Sequence, residues 1–177
     1  MKIRNATFKD IKELSDLASR TYSETFGYTM TADELKKVLS KTRSKKYFAS
    51  VLNRDSLFIA EENDRLIGYI QFGKVEISSV KATGQDRELK RIYIDKSYQG
   101  KGVGKKLMNA MLESPDMKNA NNIYLDVWAK NKKAIGLYLK YGFKIIGETD
   151  FTAGGQVVGK DIVMMLSKVK ENKRVEY

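Results

Sequence analysis

A turn rich in glycine and lysine, DKSYQGKGVGKKL at residues 95–107, has the residue types and spacing of an anion-binding site. It follows the apolar strand pattern LKRIYI and precedes the helix pattern VGKKLMNAML. Glycines let a backbone approach an anion closely, and the first N–H groups of a helix are unpaired and carry the positive end of its dipole. Lys101, Lys105 and Lys106 add positive charge. The turn therefore predicts a phosphate-binding loop.

Three phosphate-binding patterns compete for this turn. A P-loop, G-x-x-x-x-G-K-[ST], fails because Gln99 stands at its first position and Lys106 at its last. The dinucleotide pattern G-x-G-x-x-G fails at Lys105, and the acidic ribose partner that it places about 20 residues further on is missing. The third pattern, Q/R-x-x-G-x-G/A, is met in full by Gln99, Gly102 and Gly104.

The composition limits the chemistry that the chain can perform, because its 177 residues include no histidine and no cysteine. This excludes Ser-His-Asp and Cys-His catalysis, disulfides, and thiolate or imidazole ligands for zinc. An enzyme of this composition must move protons with Glu, Asp, Lys, Tyr or bound water. We see neither a signal-peptide pattern nor an apolar run long enough for a membrane span, and we predict a cytoplasmic protein without a membrane partner.

The chain is strongly basic, because it has 33 Lys and Arg against 22 Asp and Glu and thus a formal net charge of +11. Residues 35–54 contain seven basic residues and no acid. A solvated surface, attraction of a phosphorylated cofactor and binding of nucleic acid are three interpretations of this charge.

Hydrophobic periodicity predicts a single domain at residues 1–177 with the element order β-α-α-β-β-β-α-β-α-β-β. Thr7 and the segment TADE at residues 31–34 predict the N-terminal caps of two helices, the second extending towards Leu52. The dipeptide Asn63-Asp64 predicts a hairpin turn. The β-α-β unit at residues 88–128 requires two parallel strands. The predicted fold class is α/β of the mixed α+β kind: one twisted sheet of about seven strands with helices on both faces.

The second half of the chain carries its own boundary signals. Pro115 predicts the end of one helix, while Asn131 and Gly142 predict the two ends of the next. The last two strands flank a turn predicted at Ala153-Gly154-Gly155, and residues 168–177 are predicted to be a solvated tail or a strand end.

The segments LKRIYIDKSYQGKGVGKKLM and IYLDVWAKNKKAIGLYLKYGFKIIGE resemble the core of the GCN5-related N-acetyltransferases (GNAT). The glycine turn is paired with N-x-x-A-x-x-x-Y-x-x-x-G-F some thirty residues later, and this pairing is specific. The resemblance is strong over residues 65–168. Within the family, TYSETFGYTMTADELKKVL together with RIYID and LDVWAKN is most similar to the PaiA-type polyamine acetyltransferases.

This resemblance implies that acetyl-CoA is the cosubstrate and that no metal is needed. In the family, the turn holds the pyrophosphate through backbone N–H groups, the strand before it pairs with the pantetheine arm, and an asparagine bonds that arm. The two parallel strands splay apart there, which a bulge or a twist near Ile92 would explain. The residues implied to bind acetyl-CoA are Ile92, Tyr93, Ile94, Gln99, Gly100, Lys101, Gly102, Val103, Gly104, Lys105 and Asn131.

The same resemblance implies direct attack of an amine on the acetyl carbon, with Tyr138 as the general acid that protonates the leaving thiolate. Glu88 is the candidate general base, and a chain of water molecules is the alternative. Each residue also has a structural interpretation: Asn131 as a helix cap, Tyr138 as a packed aromatic ring, Glu88 as an exposed acid at a strand end.

The acceptor implied by the finer resemblance is a polyamine such as spermidine or spermine. The positive net charge disfavours polycations in general, so a protein, a peptide or another small amine is an alternative. A regulatory nucleic-acid-binding module on the same fold is the rival from another class, but no helix-turn-helix pair or RNA-binding strand motif is present, and we do not expect nucleic acid as a partner. Monomer and homodimer both stay open. The candidate acids for a polyamine pocket are Glu24, Glu34, Glu76, Asp126 and Asp150.

Overall fold

The computed structural model describes residues 1–153 and 156–168. The strands in this part of the chain are β1 (Lys2–Asn5), β2 (Ser56–Glu62), β3 (Arg65–Gly73), β4 (Arg87–Ile94), β5 (Asn122–Trp128), β6 (Lys144–Ala153) and β7 (Gln156–Ser167). The α-helices are α1 (Ile11–Phe26), α2 (Ala32–Thr42), α3 (Lys45–Arg54), α4 (Val103–Glu113), α5 (Pro115–Lys118) and α6 (Lys132–Lys140). None of these helices is long and apolar enough to cross a membrane.

The seven strands form one sheet in the order β1-β2-β3-β4-β5-β7-β6. Neighbouring strands are antiparallel except β4 and β5, which are parallel, as the predicted β-α-β unit requires. The predicted mixed sheet of about seven strands is confirmed. Asn63 and Asp64 both have positive φ, 51° and 58°, and form the tight turn between β2 and β3 that the sequence predicts.

The helices before β2 differ from the prediction, because the second predicted helix is two helices, α2 and α3. Arg43 leaves the helical conformation (φ −138°, ψ 2°) and caps the C-terminal end of α2. Ser44 then caps α3 by accepting a hydrogen bond from the N–H of Tyr47. Ser44 lies in the middle of a pattern with helical spacing, but it begins a new helix instead of occupying an exposed position in a longer one.

The segment after α4 also differs in detail. Pro115 does not simply end α4: it is the first residue of the short helix α5, and Ser114 caps that helix. Proline suits this position because the first helical N–H has no partner in any case. The turn predicted at residues 153–155 and the tail predicted at 168–177 lie largely outside the described residues.

Helices cover both faces of the sheet, and each face has its own hydrophobic core. On β2, Leu57 and Ile59 pack in one core with residues of α1 and α3, while Phe58 and Ala60 belong to the other core, with residues of α4. Successive side chains of a strand point to opposite faces, so these two cores lie on opposite sides of the sheet.

The strands β4 and β5 pair only at their beginning, through Arg87 with Ile123 and Glu88 with Tyr124. The register of β4 against β3 then shifts, because Gln71 faces Arg91 and Phe72 faces Leu89, leaving Lys90 as an extra residue. This β-bulge bends β4 away from β5. The splayed strands implied by the sequence resemblance are therefore present, with the bulge two residues before Ile92.

The bulge is held by a buried ion pair. Lys90 Nζ lies 3.1 Å from Asp55 Oδ1 and 2.6 Å from Glu76 Oε1, and the side chains of Lys90 and Asp55 are only 4% and 3% exposed. Asp55 Oδ2 also accepts a 2.7 Å hydrogen bond from Gln71. The loop before β4 and the end of α3 are thus tied to the bulged residue.

We expect Asp55→Asn to lower the free energy of unfolding by about 2 kcal/mol, because it leaves the buried Lys90 charge with one exposed carboxylate partner. The midpoint of thermal unfolding should fall by about 4–8 °C for a chain of this size. Urea unfolding followed by the fluorescence of Trp128 measures the change. Asp150→Asn is the matched control, since Asp150 pairs with Lys160 on the surface and should show no measurable effect. An equal effect of the two substitutions would contradict the buried role of Asp55.

Candidate active site

A cleft of about 1050 Å³ opens where β4 and β5 diverge. Its walls are the second half of β4, the end of β5, the C-terminal half of α1, the glycine turn and α6. Ten of the thirteen residues that the sequence singled out line this one cleft. They are Ile92, Tyr93, Ile94, Gln99, Gly100, Gly102, Gly104, Lys105, Asn131 and Tyr138.

The glycine turn lies at one end of the cleft and has the geometry of an anion cradle. Gly102 caps α4 in the left-handed conformation with φ 81°, which favours glycine, and a Cβ atom built there would meet no atom within 4 Å. Gly104 allows a close approach, since its Cβ would lie 3.0 Å from Ile94 Cδ1. The first intrahelical bond runs from Lys106 N–H to Gly102 O at 3.1 Å, so the N–H groups of residues 103–105 have no partner within the helix.

The second half of β4 presents Ile92, Tyr93 and Ile94 along the gap that β5 leaves. Across the gap, Asn131 caps α6 by accepting a 3.1 Å hydrogen bond from Ala134 N–H at its Oδ1. No described residue accepts a hydrogen bond from its amide NH₂ group. The helix-cap role of Asn131 is thus observed, and its amide stays available for a ligand.

Tyr138 lies on α6 and is only 5% exposed, yet it lines the cleft. Its ring packs against Phe143 with centroids 5.9 Å apart. Among the described residues its hydroxyl has no hydrogen-bond partner. Burial raises the pKa of Tyr138, and the nearby Tyr93 and Asp126 raise it further, so the hydroxyl holds its proton at neutral pH. The packed-ring interpretation and the proton-donor interpretation are compatible.

Three predicted site residues do not line the cleft. Val103 is buried in the core under the turn, and the Lys101 ammonium lies 5.1 Å from the Tyr98 ring. Glu88 is 6% exposed and accepts a 2.6 Å hydrogen bond from the N–H of Glu76. Burial raises the pKa of Glu88 despite that bond. Glu88 is thus a buried acid rather than the exposed strand-end acid of the structural interpretation, and its role as base stays a prediction.

Of the five candidate acids, Glu24 and Asp126 line the cleft. The other three have structural partners: Glu34 bonds Thr31 at the start of α2, Glu76 pairs with Lys90 and Asp150 with Lys160. The sequence interpretation missed a further acid in the cleft, Asp161 on β7. Its signal was an aspartate inside the apolar strand segment VVGKDIVMML, where an acid is unexpected.

Aromatic side chains form the wall next to these acids, and the sequence interpretation missed them as well. Phe26 of α1 lies 5.7 Å from the Trp128 ring and 5.6 Å from the Phe151 ring, centroid to centroid. All three residues line the cleft. Trp128 is the single tryptophan of the chain and the last residue of β5. A large aromatic residue at the end of a strand was therefore the signal available in the sequence.

The cleft also contains a buried cation. Arg43 is 4% exposed, and its guanidinium carbon lies 4.5 Å from the Tyr22 ring and 5.4 Å from the Tyr93 ring. Its Nη1 donates to Thr42 O at 2.8 Å, whereas Nε has no partner among the described residues. The cleft therefore contains acidic, cationic and aromatic side chains together.

A mixed sheet whose two parallel strands part beside a glycine-rich helix N-terminus, with a buried tyrosine in the gap, defines an acyltransferase-type α/β protein. The chain belongs to the acetyltransferase (GNAT) family, whose model matches residues 11–143. The family identified from the sequence motifs is confirmed, and with it the prediction of an acyltransferase enzyme.

Two proteins of similar sequence also carry the name N-acetyltransferase. The chain is 41% identical over 75 residues to a probable spermine N(1)-acetyltransferase of Bacillus subtilis subsp. natto, an alignment that covers 42% of this chain and 49% of the relative. The chain thus matches about half the length of that protein. It is 26% identical over 156 residues to an uncharacterized N-acetyltransferase of Lactobacillus delbrueckii, covering 87% of this chain and 90% of the relative.

The fold is shared with the crystal structure of the PaiA N-acetyltransferase of Thermoplasma acidophilum in complex with coenzyme A. The TM-score is 0.74 at 20% identity, covering 94% of this chain and 98% of that chain.

Proposed function

We propose that this protein transfers the acetyl group of acetyl-CoA to a primary amine of a small cationic acceptor, of the polyamine class. The observation that carries the proposal is the gap between β4 and β5, which runs from the glycine turn past Tyr138 to an acidic, aromatic end. Acetyl-CoA supplies an activated acetyl thioester. The residues of this chain bind it, orient it and move protons.

The cofactor half of the cleft fits acetyl-CoA. The open space at Gly102 and the unpaired N–H groups of α4 would hold the pyrophosphate, and Lys105 adds charge. The β4 residues 92–94 have backbone groups that β5 does not pair, so the pantetheine arm would fill the place of a strand. The amide of Asn131 would hold this arm, and the Tyr138 hydroxyl would protonate the leaving sulfur.

The acceptor half fits a cationic amine. Glu24, Asp126 and Asp161 supply negative charge in a protein of net charge +11, and Trp128 and Phe151 offer aromatic faces to an alkylammonium group. The partial relative named as a spermine N(1)-acetyltransferase supports the polyamine class.

The nucleic-acid-binding alternative draws less support from the structure than from the sequence. The basic run at residues 35–54 is divided between α2 and α3, and Arg43 of this run turns inward, where it is 4% exposed. The run therefore does not form one continuous basic helix of the kind that follows a phosphate backbone.

Release of coenzyme A tests the proposal, because a thiol reagent reports it without background from a chain that has no cysteine. We expect release with acetyl-CoA and spermidine, and a higher kcat/KM for cadaverine than for lysine. These two amines differ only by a carboxylate, which Glu24, Asp126 and Asp161 repel. Binding of that carboxylate by Arg43 would reverse the preference.

Preference for lysine would show that the acceptor carries a carboxylate and that the polyamine class is wrong. Release with a peptide N-terminus but with no diamine would point to a peptide acceptor. No release with any amine, together with salt-dependent binding of duplex DNA, would overturn the enzyme proposal.

A further inference from the structure

Asp126 and Asp161 are neighbours on the face of the sheet that looks into the acceptor end of the cleft. In the β5–β7 pair, Asp126 faces Val163 and Trp128 faces Asp161. Asp126 and Asp161 are therefore diagonal neighbours on one face, with Cα atoms about 7–8 Å apart. Both line the cleft, beside Trp128.

Neither carboxylate has a directly bonded partner in the described part of the chain. Among the described residues, no Lys or Arg forms an ion pair with Asp126 or Asp161, and no side chain donates a hydrogen bond to either. Burial raises the pKa of Asp161 to about 6, and the Asp126 carboxylate adds to this rise. Desolvation by the cleft walls also raises the pKa of Asp126, and the charge of Arg91 acts against this rise. Two carboxylates thus lack a direct cationic partner among the described residues of a protein with 33 basic residues.

An independent feature points to a ligand at the same place. The Tyr138 side chain is only 5% exposed, yet it lines the cleft. Its hydroxyl has no hydrogen-bond partner among the described residues, and the charge of Asp126 raises its pKa. Because this hydroxyl reaches the cleft and no described side chain occupies it, it can donate to a ligand bound there. A proton donor and a proton acceptor therefore share one cleft.

We infer that Asp161 on β7 is the general base of acetyl transfer and that Asp126 holds the acceptor ammonium beside it. This inference rests on the proposed function. It places the base on β7, across the cleft from the strand that carries Glu88. Glu88 lines no part of the cleft and its carboxylate is already bonded to the N–H of Glu76.

Protons are conserved in the acetyl transfer. The acceptor ammonium gives one proton to the Asp161 carboxylate, which passes it to solvent, and the neutral amine attacks the acetyl carbon to form the C–N bond. The C–S bond then breaks, and the Tyr138 hydroxyl gives its proton to the leaving sulfur. The second proton of the attacking nitrogen returns through water to the tyrosine oxygen. The net products are the N-acetylated amine, coenzyme A and one proton.

The test compares Asp161→Asn, Asp126→Asn and Glu88→Gln with wild type, using spermidine and acetyl-CoA from about pH 5 to about pH 9. We expect Asp161→Asn to lower kcat about 100-fold at neutral pH. It should also abolish the fall of kcat/KM below a pH of about 6, while the KM for acetyl-CoA stays within about 2-fold. Asp126→Asn should move that fall to lower pH, because it removes a like charge.

Asp126 on β5 is the charged group that acts on the pKa of Asp161. The other charged residues that line the cleft are Glu24, Arg43, Lys90, Arg91, Lys96, Lys105, Lys132, Lys133 and Lys140. Glu148→Gln on the adjacent strand β6 is the control: Glu148 is exposed, lies outside the cleft and should leave the pH profile unchanged.

A stability measurement separates a base from a structural aspartate. Because the folded state raises the pKa of Asp161 above its ordinary value, its ionised form opposes folding above a pH of about 6. Asp161→Asn should therefore unfold at the same or a higher temperature than wild type at neutral pH, and the difference should vanish near pH 4. A structural aspartate would give a lower unfolding temperature.

Each result decides the inference. A kcat of Asp161→Asn within about 3-fold of wild type with the acid limb intact refutes the assignment, as does a lower unfolding temperature. Loss of the acid limb in Glu88→Gln alone assigns the base to Glu88. If wild type acetylates no amine, the proposed function itself fails and the inference falls with it.

Discussion

Replacing Gly102 by valine is expected to raise the KM for acetyl-CoA about 10–100-fold. The backbone at Gly102 has φ 81°, a conformation that a β-branched residue resists at a cost of about 1–3 kcal/mol. The space where its side chain would lie is open in the structure and is the space that we assign to the pyrophosphate. The substitution therefore both distorts the start of α4 and blocks the anion.

The fluorescence of Trp128, which lines the cleft, measures coenzyme A binding to the Gly102→Val variant directly. The matched control is Gly84→Val, because Gly84 lies in the loop before β4, has no positive φ and would meet no atom within 4 Å. An unchanged affinity for coenzyme A in a folded Gly102→Val variant would show that the phosphates bind elsewhere.

Replacing Tyr138 by phenylalanine is expected to lower kcat about 100-fold and to leave both KM values within about 3-fold, since the hydroxyl is used only as the thiolate leaves. The ring keeps its contact with Phe143, and the hydroxyl loses no hydrogen bond to any residue that the structure describes. The unfolding temperature should therefore stay unchanged.

Tyr141→Phe, at the C-terminal cap of the same helix, gives the contrasting control. The Tyr141 hydroxyl donates to Asn109 Oδ1 at 2.7 Å and joins α6 to α4, so its loss should lower stability by about 1 kcal/mol without the fall in kcat. A Tyr138→Phe variant with the kcat of wild type would exclude a proton-donor role for the hydroxyl.

Local signals in the sequence were sufficient to predict most residues that line the part of the cleft that we assign to acetyl-CoA. The glycines of the turn, the apolar strand before it and the periodic helix after it are neighbours in the chain. Their geometry therefore depends on short-range backbone preferences. Asn131 and Tyr138 share one helix, so their common orientation also follows from helical spacing.

The acceptor half could not be predicted in the same way. Asp126 and Asp161 are 35 positions apart, and only the register of β5 against β7 makes them neighbours. A shift of that register by one residue would have turned Asp161 to the other face of the sheet. Glu24 and Asp126 were proposed as candidates among five, but no spacing distinguished them from the three acids with structural partners.

By itself, the sequence determined the α/β order of elements, the family and the turn that we assign to the phosphates, because each depends on residues close together along the chain. Only the tertiary structure decided that the bulge falls at Lys90, that Arg43 turns inward, that Glu88 lies outside the cleft and that Asp161 enters it. These outcomes depend on how distant strands are aligned and on which charges the core can bury. Both are set by the packing of the whole sheet rather than by local spacing.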